Sequence, residues 1–481
     1  MRNKIIFAFV LVFFLVSRIY RIADIPASVY WDEASIGYNA YGVATDLKDE
    51  WGDKLPLHFR AFGEFKLPVY IYSVAVLIKA IGLNEYAVRL PAVFYSLGIL
   101  IVVYLLIKKI TGKESAAILA SFILSVSPWL FIFSRTGYEA TAGLFFFLLA
   151  VYLFVYDLNK SFLFLLGTIS LIGSMYSYTS FRILSPIILF VFLIIYARNN
   201  LKKKFPIILL ALLIFSASLV PIARLFIYDA GFGRAQTFAL IPGLQQVYDL
   251  AGKPHLQITF NRTEGISWWQ NAATMGKNYL SHFSYDFLFG RGDSNPRSQI
   301  PGHGQLYLFE IPLILFGLIA IIKSKKNLYF LPLALLLLAP IPAALTRESP
   351  HALRSLLAAP SFAMISALGA GFLRENSKKF GTLIVFVVIA AYCLSFESYM
   401  ADFLTKYNAE TSSDWQYQYK EIFANQKRGV IADTYGQPYI FALYYLKYPP
   451  EKFRQEVKLN PISDWGFSKV ASFNGFRFIK E

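Results

Sequence analysis

The residues whose types could do chemistry begin with the acidic pair Asp32-Glu33, which follows Trp31 just after the first apolar run. A carboxylate within hydrogen-bond reach of an acceptor hydroxyl can remove its proton, which accelerates a reaction roughly 10²–10⁴-fold. A structural role is the alternative: Asp32 could cap the helix predicted over 34–44, leaving Glu33 in its first turn. Neighbouring residues on a helix face different directions. At most one of the two acids would therefore reach a reacting group.

Basic residues recur at the ends of apolar runs and could bind a phosphate. Lys or Arg held near a leaving phosphate, in a partly dehydrated site, stabilises the charge that develops there. Alone, each could instead anchor a helix end at the lipid headgroups. The candidates are Lys66, Arg89, Arg135, His351 and Arg354. Glu139, which follows Arg135, is a further candidate catalytic acid beside Asp32 and Glu33. On a predicted helix His351 and Arg354 would share a face and could grip one phosphate.

The elements that position these residues are predicted to be membrane spans. Of the 481 residues 56% are hydrophobic and only 16% are charged, whereas soluble domains are about 25% charged. About eleven apolar runs are long enough to cross a ~30 Å hydrocarbon core. They lie near 5–16, 90–107, 115–133, 140–156, 161–176, 183–197, 206–223, 305–322, 328–345, 355–373 and 380–396. The composition excludes a soluble protein and predicts an α-helical polytopic membrane protein.

Basic clusters in the short connections predict the orientation. They are Lys108/Lys109/Lys113, Lys160, Arg198/Lys202/Lys203/Lys204, Lys323/Lys325/Lys326 and Arg374/Lys378/Lys379. With a cytoplasmic N-terminus all of them are cytoplasmic, as the positive-inside rule requires, and the C-terminus lies outside. This holds only if 66–82, which is short for a span, is a juxtamembrane helix. We therefore assign the net charge of +16 to cytoplasmic loops, with no nucleic-acid partner.

Three long segments are predicted outside the membrane, at 19–89, 224–304 and 397–481. Residues 1–396 form the predicted transmembrane domain, with 19–89 as the first outer loop and 224–304 as a long outer loop. The polar, alternating segment 397–481 predicts a small α/β appendage. The single cysteine, Cys393, excludes an intrachain disulfide, and the scattered histidines lack zinc-ligand spacing, so no metal site is predicted.

Several motifs in a fixed order carry a family resemblance. They are Trp31-Asp32-Glu33, Phe65-Lys66-Leu67-Pro68, Arg89-Leu90-Pro91, Ser127-Pro128-Trp129 and Arg135-Thr136-Gly137-Tyr138-Glu139. In this order the chain resembles the GT-C glycosyltransferases of the protein O-mannosyltransferase and aminoarabinose-transferase type. These are integral membrane enzymes that take a sugar from a polyprenyl-phosphate donor. The resemblance is strong over about 1–200, weaker to about 375 and vague beyond.

The resemblance implies a role for each candidate residue. Asp32 matches the acid beside the acceptor hydroxyl, with Glu33 as a structural or acceptor contact. Lys66 matches the lysine directed at the donor phosphate, and Arg89 the arginine before the second span. The remaining matches are Arg135 and Glu139 in the next outer turn, and His351 and Arg354 in a late outer turn that closes over the phosphate. The family usually has Asp where this chain has Glu139.

The implied activity is an inverting transfer of a sugar from a polyprenyl-phosphate donor to a lipid, glycan or protein acceptor. It requires no cofactor and takes place at the outer face of a cytoplasmic or inner membrane, in contact with membrane lipids. A transporter or lipid flippase is the alternative; its ionisable residues would lie near the midplane, often in repeated halves. A sugar-lipid-binding scaffold without activity is a third hypothesis. The sugar and the acceptor stay open.

Overall fold

The chain folds mainly into helices that form one apolar bundle with a small mixed unit at one end. The structure is a computed structural model, and it describes residues 1–62, 64–158, 160–198, 201–228, 244–248, 254–258, 268–377, 379–434, 436–461 and 468–479. The first half contains α1 (Arg2–Ile19), α2 (Trp31–Asp46), β1 (Phe59–Ala61), β2 (Glu64–Lys66), α3 (Pro68–Ile81), α4 (Glu85–Thr111), α5 (Glu114–Ser125), α6 (Pro128–Phe133), α7 (Ala140–Tyr156), α8 (Ser161–Met175), α9 (Phe181–Arg198) and α10 (Leu201–Tyr228).

The second half continues with further helices and a terminal sheet. Its elements are β3 (Leu244–Tyr248), β4 (Pro254–Ile258), α11 (Trp268–Ser281), α12 (Tyr285–Phe289), α13 (Glu310–Lys323), α14 (Leu331–Leu338), α15 (Ile341–Ala344), α16 (Ala358–Asn376), α17 (Gly381–Thr405), α18 (Tyr407–Thr411), α19 (Tyr417–Asn425), β5 (Gly429–Ala432), α20 (Pro438–Tyr445), α21 (Pro450–Glu456), β6 (Lys458–Leu459), β7 (Val470–Phe473) and β8 (Phe476–Ile479). Short 3₁₀ helices occupy Pro296–Ser298 and Asn327–Phe330.

Each predicted apolar run lies on a helix or on two consecutive short helices. Among the described residues, five helical stretches are long and apolar enough to cross a membrane by length and composition. They are Glu85–Thr111, Phe181–Arg198, Leu201–Leu225, Asn327–Ala344 and Gly381–Thr405. Shorter apolar helices, among them α5, α7 and α8, pack between them. The predicted α-helical, polytopic class is confirmed.

Two glycines bring α13 and α16 into direct backbone contact. A Cβ on Gly369 of α16 would lie 1.9 Å from the carbonyl oxygen of Leu313, and one on Gly317 of α13 would lie 2.2 Å from that of Ile365. Small residues of this kind let helices approach closely where lipid removes the hydrophobic driving force. Any larger side chain at either position forces the two helices apart.

Helix α3 is the predicted juxtamembrane helix. Its 14 residues span about 21 Å at ~1.5 Å per residue, which is short of a ~30 Å hydrocarbon core. It packs against α2 and the start of α4. Proline at its first position, where no intrahelical N–H bond is needed, starts it directly after Lys66. The hairpin β1–β2 and α3 thus fix Lys66 between them.

The C-terminal unit is a four-stranded sheet with helices, so the predicted small α/β unit is confirmed. The strand order is β5-β8-β7-β6, with β5 parallel to β8 and the other pairs antiparallel. It docks on the first predicted outer loop, because α20 packs against α2. At this contact Tyr38 donates to the carbonyl of Tyr448, 3.0 Å away, and Arg454 donates to the carbonyl of Asp49, 3.0 Å away.

Three local expectations differ from the structure. Helix α2 begins at Trp31, and its N-cap is Tyr30, so Asp32 is not the cap. Residues 351–357 form turns, and α16 begins only at Ala358, so His351 and Arg354 do not share a helical face. Helix α17 continues to Thr405, past the predicted domain boundary at 396. Of the predicted loop 224–304, residues 229–243, 249–253 and 259–267 lie outside the described part.

Candidate active site

Asp32, Lys66 and Glu64 form an ion cluster between α2 and the β1–β2 hairpin. The Lys66 Nζ lies 2.6 Å from Asp32 Oδ1 and 2.9 Å from Glu64 Oε1. Lys66 is 4% exposed, whereas Asp32 keeps 25% of its side chain exposed. Burial alone would lower the pKa of Lys66, but the nearby carboxylates of Asp32 and Glu139 raise it overall. The cluster therefore contains a buried ammonium group, that of Lys66, paired with the partly exposed carboxylate of Asp32.

Glu139 closes this cluster from the turn before α7. Its Oε1 accepts a hydrogen bond from the backbone N–H of Leu67, 3.2 Å away. Burial raises the pKa of Glu139 to about 7, against the opposing charge of Lys66. The motifs predict one site for Asp32, Lys66 and Glu139, and the structure brings the three side chains together. A group that titrates near neutral pH is suited to proton transfer.

Glu33 points away from this cluster and pairs with Arg89 of α4. Glu33 Oε1 is 3.0 Å from Arg89 Nε, and Oε2 is 3.0 Å from Nη2. The same carboxylate accepts from the backbone N–H of Gly137, 2.6 Å away, and of Tyr30, 3.2 Å away. Neither charged side chain is exposed. Glu33 thus ties together α2, α4 and the turn before α7, which is the structural role left open for it.

Arg89 and Arg135, both predicted to bind the donor phosphate, instead bind backbone carbonyls. The remaining N–H groups of Arg89 donate to the carbonyls of Ile22, Pro26 and Ser28. Those of Arg135 donate to the carbonyls of Ser17, Arg18, Tyr20 and Ile25. An arginine has five N–H donors, and all five of Arg89 are used. Both side chains are buried, so in this arrangement they hold the segment that leads into α2.

His351 and Arg354 lie in a turn that is closed by their own acidic neighbour. Arg354 donates to Glu348 Oε2 at 3.2 Å and to the hydroxyl of Thr346 at 2.9 Å. His351 Nε2 is 4.0 Å from the same Glu348 oxygen. The two residues therefore converge although the predicted helix between them does not form.

The phenol of Tyr178 responds to the charges of both this turn and the Asp32 cluster. It lies between α8 and α9, and burial raises its pKa to about 12. The charge of Arg354 opposes this shift, whereas those of Glu139 and Asp32 add to it. Arg354 and the acids of the cluster are hence all within electrostatic reach of one phenol. The convergence of Lys66 and Arg354 on one anion stays a prediction.

Arg297, which no sequence motif indicated, adds a cation to the same region. Its guanidinium lies 4.0 Å from the ring centre of Tyr30, and Nη1 donates to the carbonyl of Asp414, 3.2 Å away. Burial raises the pKa of Tyr138, with Arg297 opposing the shift and Asp32 adding to it. Arg297 lies within the predicted long outer loop 224–304, where a single Arg between Pro296 and Ser298 carries no recognisable signal.

The C-terminal unit supplies an aromatic and polar wall beside Asp32. The backbone N–H of Trp31 donates to Gln416 Oε1 at 3.0 Å. The Trp31 ring lies 5.7 Å from that of Phe62 and packs on Gly436, where a Cβ would approach it to 2.4 Å. Gly436 has φ +79°, a conformation that favours glycine. An aromatic face next to a carboxylate suits the binding of a sugar ring or a lipid.

Within the described ranges no three His, Cys, Asp or Glu side chains are grouped so that they could hold a metal ion. Four of the described cations act on the acids and phenols of this region: Lys66 and Arg182 on Glu139, Arg297 on Tyr138 and Arg354 on Tyr178.

Comparison with known proteins identifies the class of fold. Residues 66–220 match the family model described as dolichyl-phosphate-mannose-protein mannosyltransferase, which is less than half of the chain. No curated protein matches the chain by sequence.

Solved structures are similar over nearly the whole chain. ArnT from Cupriavidus metallidurans, bound to undecaprenyl phosphate, has a TM-score of 0.56 at 10% identity, covering 93% of this chain and 84% of ArnT. The Archaeoglobus fulgidus oligosaccharyltransferase, in complex with zinc and sulfate, has a TM-score of 0.50 at 13% identity, covering 95% of this chain. This chain spans only 59% of that enzyme's length. The same enzyme tethered to an acceptor peptide gives a TM-score of 0.50 at 14% identity, covering 96% of this chain and 62% of the enzyme.

These similarities confirm the resemblance stated from the sequence: the chain has the GT-C fold. Together with the apolar helices, the fold indicates a multi-pass membrane protein.

Removing the buried Glu33 charge should destabilise the protein. Glu33→Gln leaves the Arg89 guanidinium buried without its anionic partner, a change that typically costs about 3–5 kcal/mol. The unfolding midpoint in detergent should fall clearly below that of the wild type. Glu114→Gln, which removes one partner of the exposed Lys108–Glu114 pair, is the matched control and should leave the midpoint unchanged. A Glu33→Gln protein as stable as the wild type would show that Arg89 does not depend on this carboxylate.

The raised pKa of Glu139 predicts a pH-dependent contribution to stability. The folded protein keeps this proton up to about pH 7, whereas the ordinary pKa is 4.5. The resulting stability is complete below the ordinary pKa and is lost as the pH rises through about 7. Glu139→Gln cannot lose a proton. As the pH is raised from about 5 to about 8, wild type should lose stability that Glu139→Gln keeps. The unfolding midpoint of Glu139→Gln minus that of wild type should therefore increase over this range. An equal difference in unfolding midpoint between variant and wild type at both pH values would contradict the raised pKa of Glu139.

Proposed function

We propose that the chain is an inverting glycosyltransferase that moves a sugar from a polyprenyl-phosphate donor to a hydroxyl acceptor, with Asp32 as general base. The observation that carries the proposal is the partly exposed Asp32 carboxylate, held 2.6 Å from the buried Lys66 ammonium. A base for the acceptor and a cation for the leaving phosphate are thereby adjacent. The GT-C fold supports the same chemistry.

The reaction is a single displacement at the anomeric carbon. The bond from this carbon to the phosphate oxygen breaks while the bond to the acceptor oxygen forms, so the anomeric configuration inverts. Asp32 takes the acceptor proton, and the bonding electrons leave with the polyprenyl phosphate. Lys66 and Arg354 stabilise the charge that develops on that phosphate.

Donor binding also frees the base. Without substrate, Lys66 is bound by Asp32 and Glu64, so the Asp32 oxygen is engaged by the ammonium. A bound phosphate competes for the same ammonium through charge-assisted hydrogen bonds. Asp32 then turns from Lys66 to the acceptor hydroxyl. This order avoids activating an acceptor, or water, before the donor is in place.

The substrate classes of the proposal follow from the fold's relatives. ArnT was solved with undecaprenyl phosphate, the archaeal oligosaccharyltransferase was tethered to an acceptor peptide, and the family model is named for mannosyl transfer to proteins. For this chain we propose a polyprenyl-phosphate-linked hexose or pentose as donor and a lipid, glycan or protein as acceptor.

The proposed location is a cytoplasmic or inner membrane, with the N-terminus inside and the C-terminal unit outside. The basic short loops support this orientation. The three segments predicted outside contact one another: Arg297 binds the carbonyl of Asp414, and Trp31 binds Gln416. The active site would then face the extracytoplasmic side.

Asp32→Asn should abolish sugar transfer while the protein still folds and binds the donor. Lys66 keeps Glu64 as a partner, so the buried ammonium is not left alone. Loss of a general base should lower kcat at least about 100-fold, measured with a labelled polyprenyl-phosphate sugar. Asp402→Asn is the matched control, since Asp402 also pairs with a lysine, Lys406, at 2.6 Å. Retention of more than about a tenth of the wild-type kcat would exclude Asp32 as base for a neutral acceptor.

Lys66→Ala and Arg354→Ala should weaken donor binding and slow transfer together, because the phosphate is bound before reaction and gains charge during it. A lost charge-assisted hydrogen bond of about 1.5–3 kcal/mol corresponds to roughly 10–100-fold in donor Kd. Lys406→Ala removes an equivalent Asp–Lys pair and should leave both quantities unchanged. If Lys66→Ala and Arg354→Ala both kept wild-type donor affinity, neither cation would bind the donor phosphate.

A further inference from the structure

Two neighbouring cavities lie between α1 and α17 and share Cys393 in their linings. Their volumes are about 650 Å³ and 400 Å³. We call them the α1–α17 groove. The first is lined by Lys113 and by residues of α1, α5, α16 and α17, among them Ile6, Gly371, Arg374 and Glu375. The second is lined by Phe13, Val16, Ser17, Tyr20, Val126, Cys393, Phe396, Glu397 and Met400.

The groove has an apolar floor and follows the length of α1. Helix α5 packs against α1 and α16, and α16 packs against α17, so α5 and α16 form the floor. From Ile6 to Ser17 the groove extends about 17 Å at ~1.5 Å per residue. This is more than half of a ~30 Å hydrocarbon core. Ile6, Phe9 and Ile389 remain exposed along the groove, so an acyl chain can lie against this apolar floor without entering a closed cavity.

Charged groups are concentrated at the end of the groove near the chain's N-terminus. Lys113 and Arg374 line it together with Glu375. Lys113 forms an ion pair with Glu375, and both side chains are more than half exposed. Exposed pairs are worth only about 0–1 kcal/mol, so Lys113 can bind a second anion at little cost. Two cations against one carboxylate leave this end positive.

This end is remote from the Asp32 cluster. Helix α4 runs from Arg89, which pairs with Glu33, to Thr111, two residues before Lys113. The distance along it is about 33 Å at ~1.5 Å per residue. The charged end of the groove is thus separate from the pocket proposed for the donor phosphate.

We propose that the α1–α17 groove binds an anionic phospholipid of the surrounding membrane. One acyl chain lies along the apolar floor, and the phosphate contacts Lys113 and Arg374. Both parts of the groove are then used: apolar surface for the chain and excess positive charge for the headgroup. A zwitterionic lipid would satisfy only the first. The proposal does not depend on the proposed transferase activity, since it concerns binding alone.

The test compares palmitoyl-oleoyl phosphatidylglycerol with palmitoyl-oleoyl phosphatidylcholine on the purified full chain in detergent. Bound lipid is measured by native mass spectrometry. A juxtamembrane cation adds about 1 kcal/mol to anionic lipid binding, which is roughly fivefold. We expect at least that preference for phosphatidylglycerol. Lys113→Gln combined with Arg374→Gln should abolish the preference but not the weaker binding of phosphatidylcholine.

A groove-filling variant tests the acyl-chain part. A Cβ on Gly371 meets nothing within 4 Å, so Gly371→Leu places a side chain in the groove without a backbone clash. It should remove binding of both lipids. Gly276→Leu on α11, whose Cβ also meets nothing within 4 Å, is the control and should bind as wild type.

Cys393, the single cysteine of the chain, reports the location. Phosphatidylglycerol should slow its reaction with maleimide more than phosphatidylcholine does. Equal binding of both lipids by the wild type, or undiminished binding by Gly371→Leu, would overturn the proposal. So would a dimer that Gly371→Leu converts to monomers, because the groove would then hold a second copy.

Discussion

The buried pair of Glu33 and Arg89 is the constraint on which the proposed active site depends. Glu33 holds Arg89 through both oxygens and also accepts from the N–H groups of Gly137 and Tyr30. One carboxylate therefore fixes the start of α2 against α4 and against the turn that ends at Glu139. Successive residues on a helix point about 100° apart. With Glu33 fixed toward the bundle, Asp32 is directed at Lys66.

Arginine makes the irregular connection between α1 and α2 rigid. Buried carbonyls outside regular structure need donors. Arg135 and Arg89 supply them to seven carbonyls between Ser17 and Ser28. The guanidinium of Arg135 also lies 4.8 Å from the ring centre of Phe403. The two arginines that the motifs assign to the donor phosphate thus hold the segment that leads into α2. The cation in contact with Asp32 is Lys66.

Much of the fold could be predicted because apolar length and periodicity are local properties. The apolar runs, the short α3 and the small C-terminal unit follow from the chain itself, and the proximity of Asp32 and Lys66 follows from motif order. The partners of Arg89 and Arg135 could not be predicted, since they are carbonyls whose position depends on how the chain reverses after α1. Arg297 has no motif. The expected helical face of His351 and Arg354 failed because the chain turns before α16.

The glycine contacts between α13 and α16 have a mechanical consequence. Their backbones touch at two levels, at Gly317 and at Gly369, and closely packed atoms leave no space for one helix to roll or slide past the other. The two helices therefore form one rigid unit. The turn that carries Arg354 directly precedes α16 and is thus attached to one end of this unit. Arg354 can therefore change its position only by bending of the turn itself, while the two helices stay fixed.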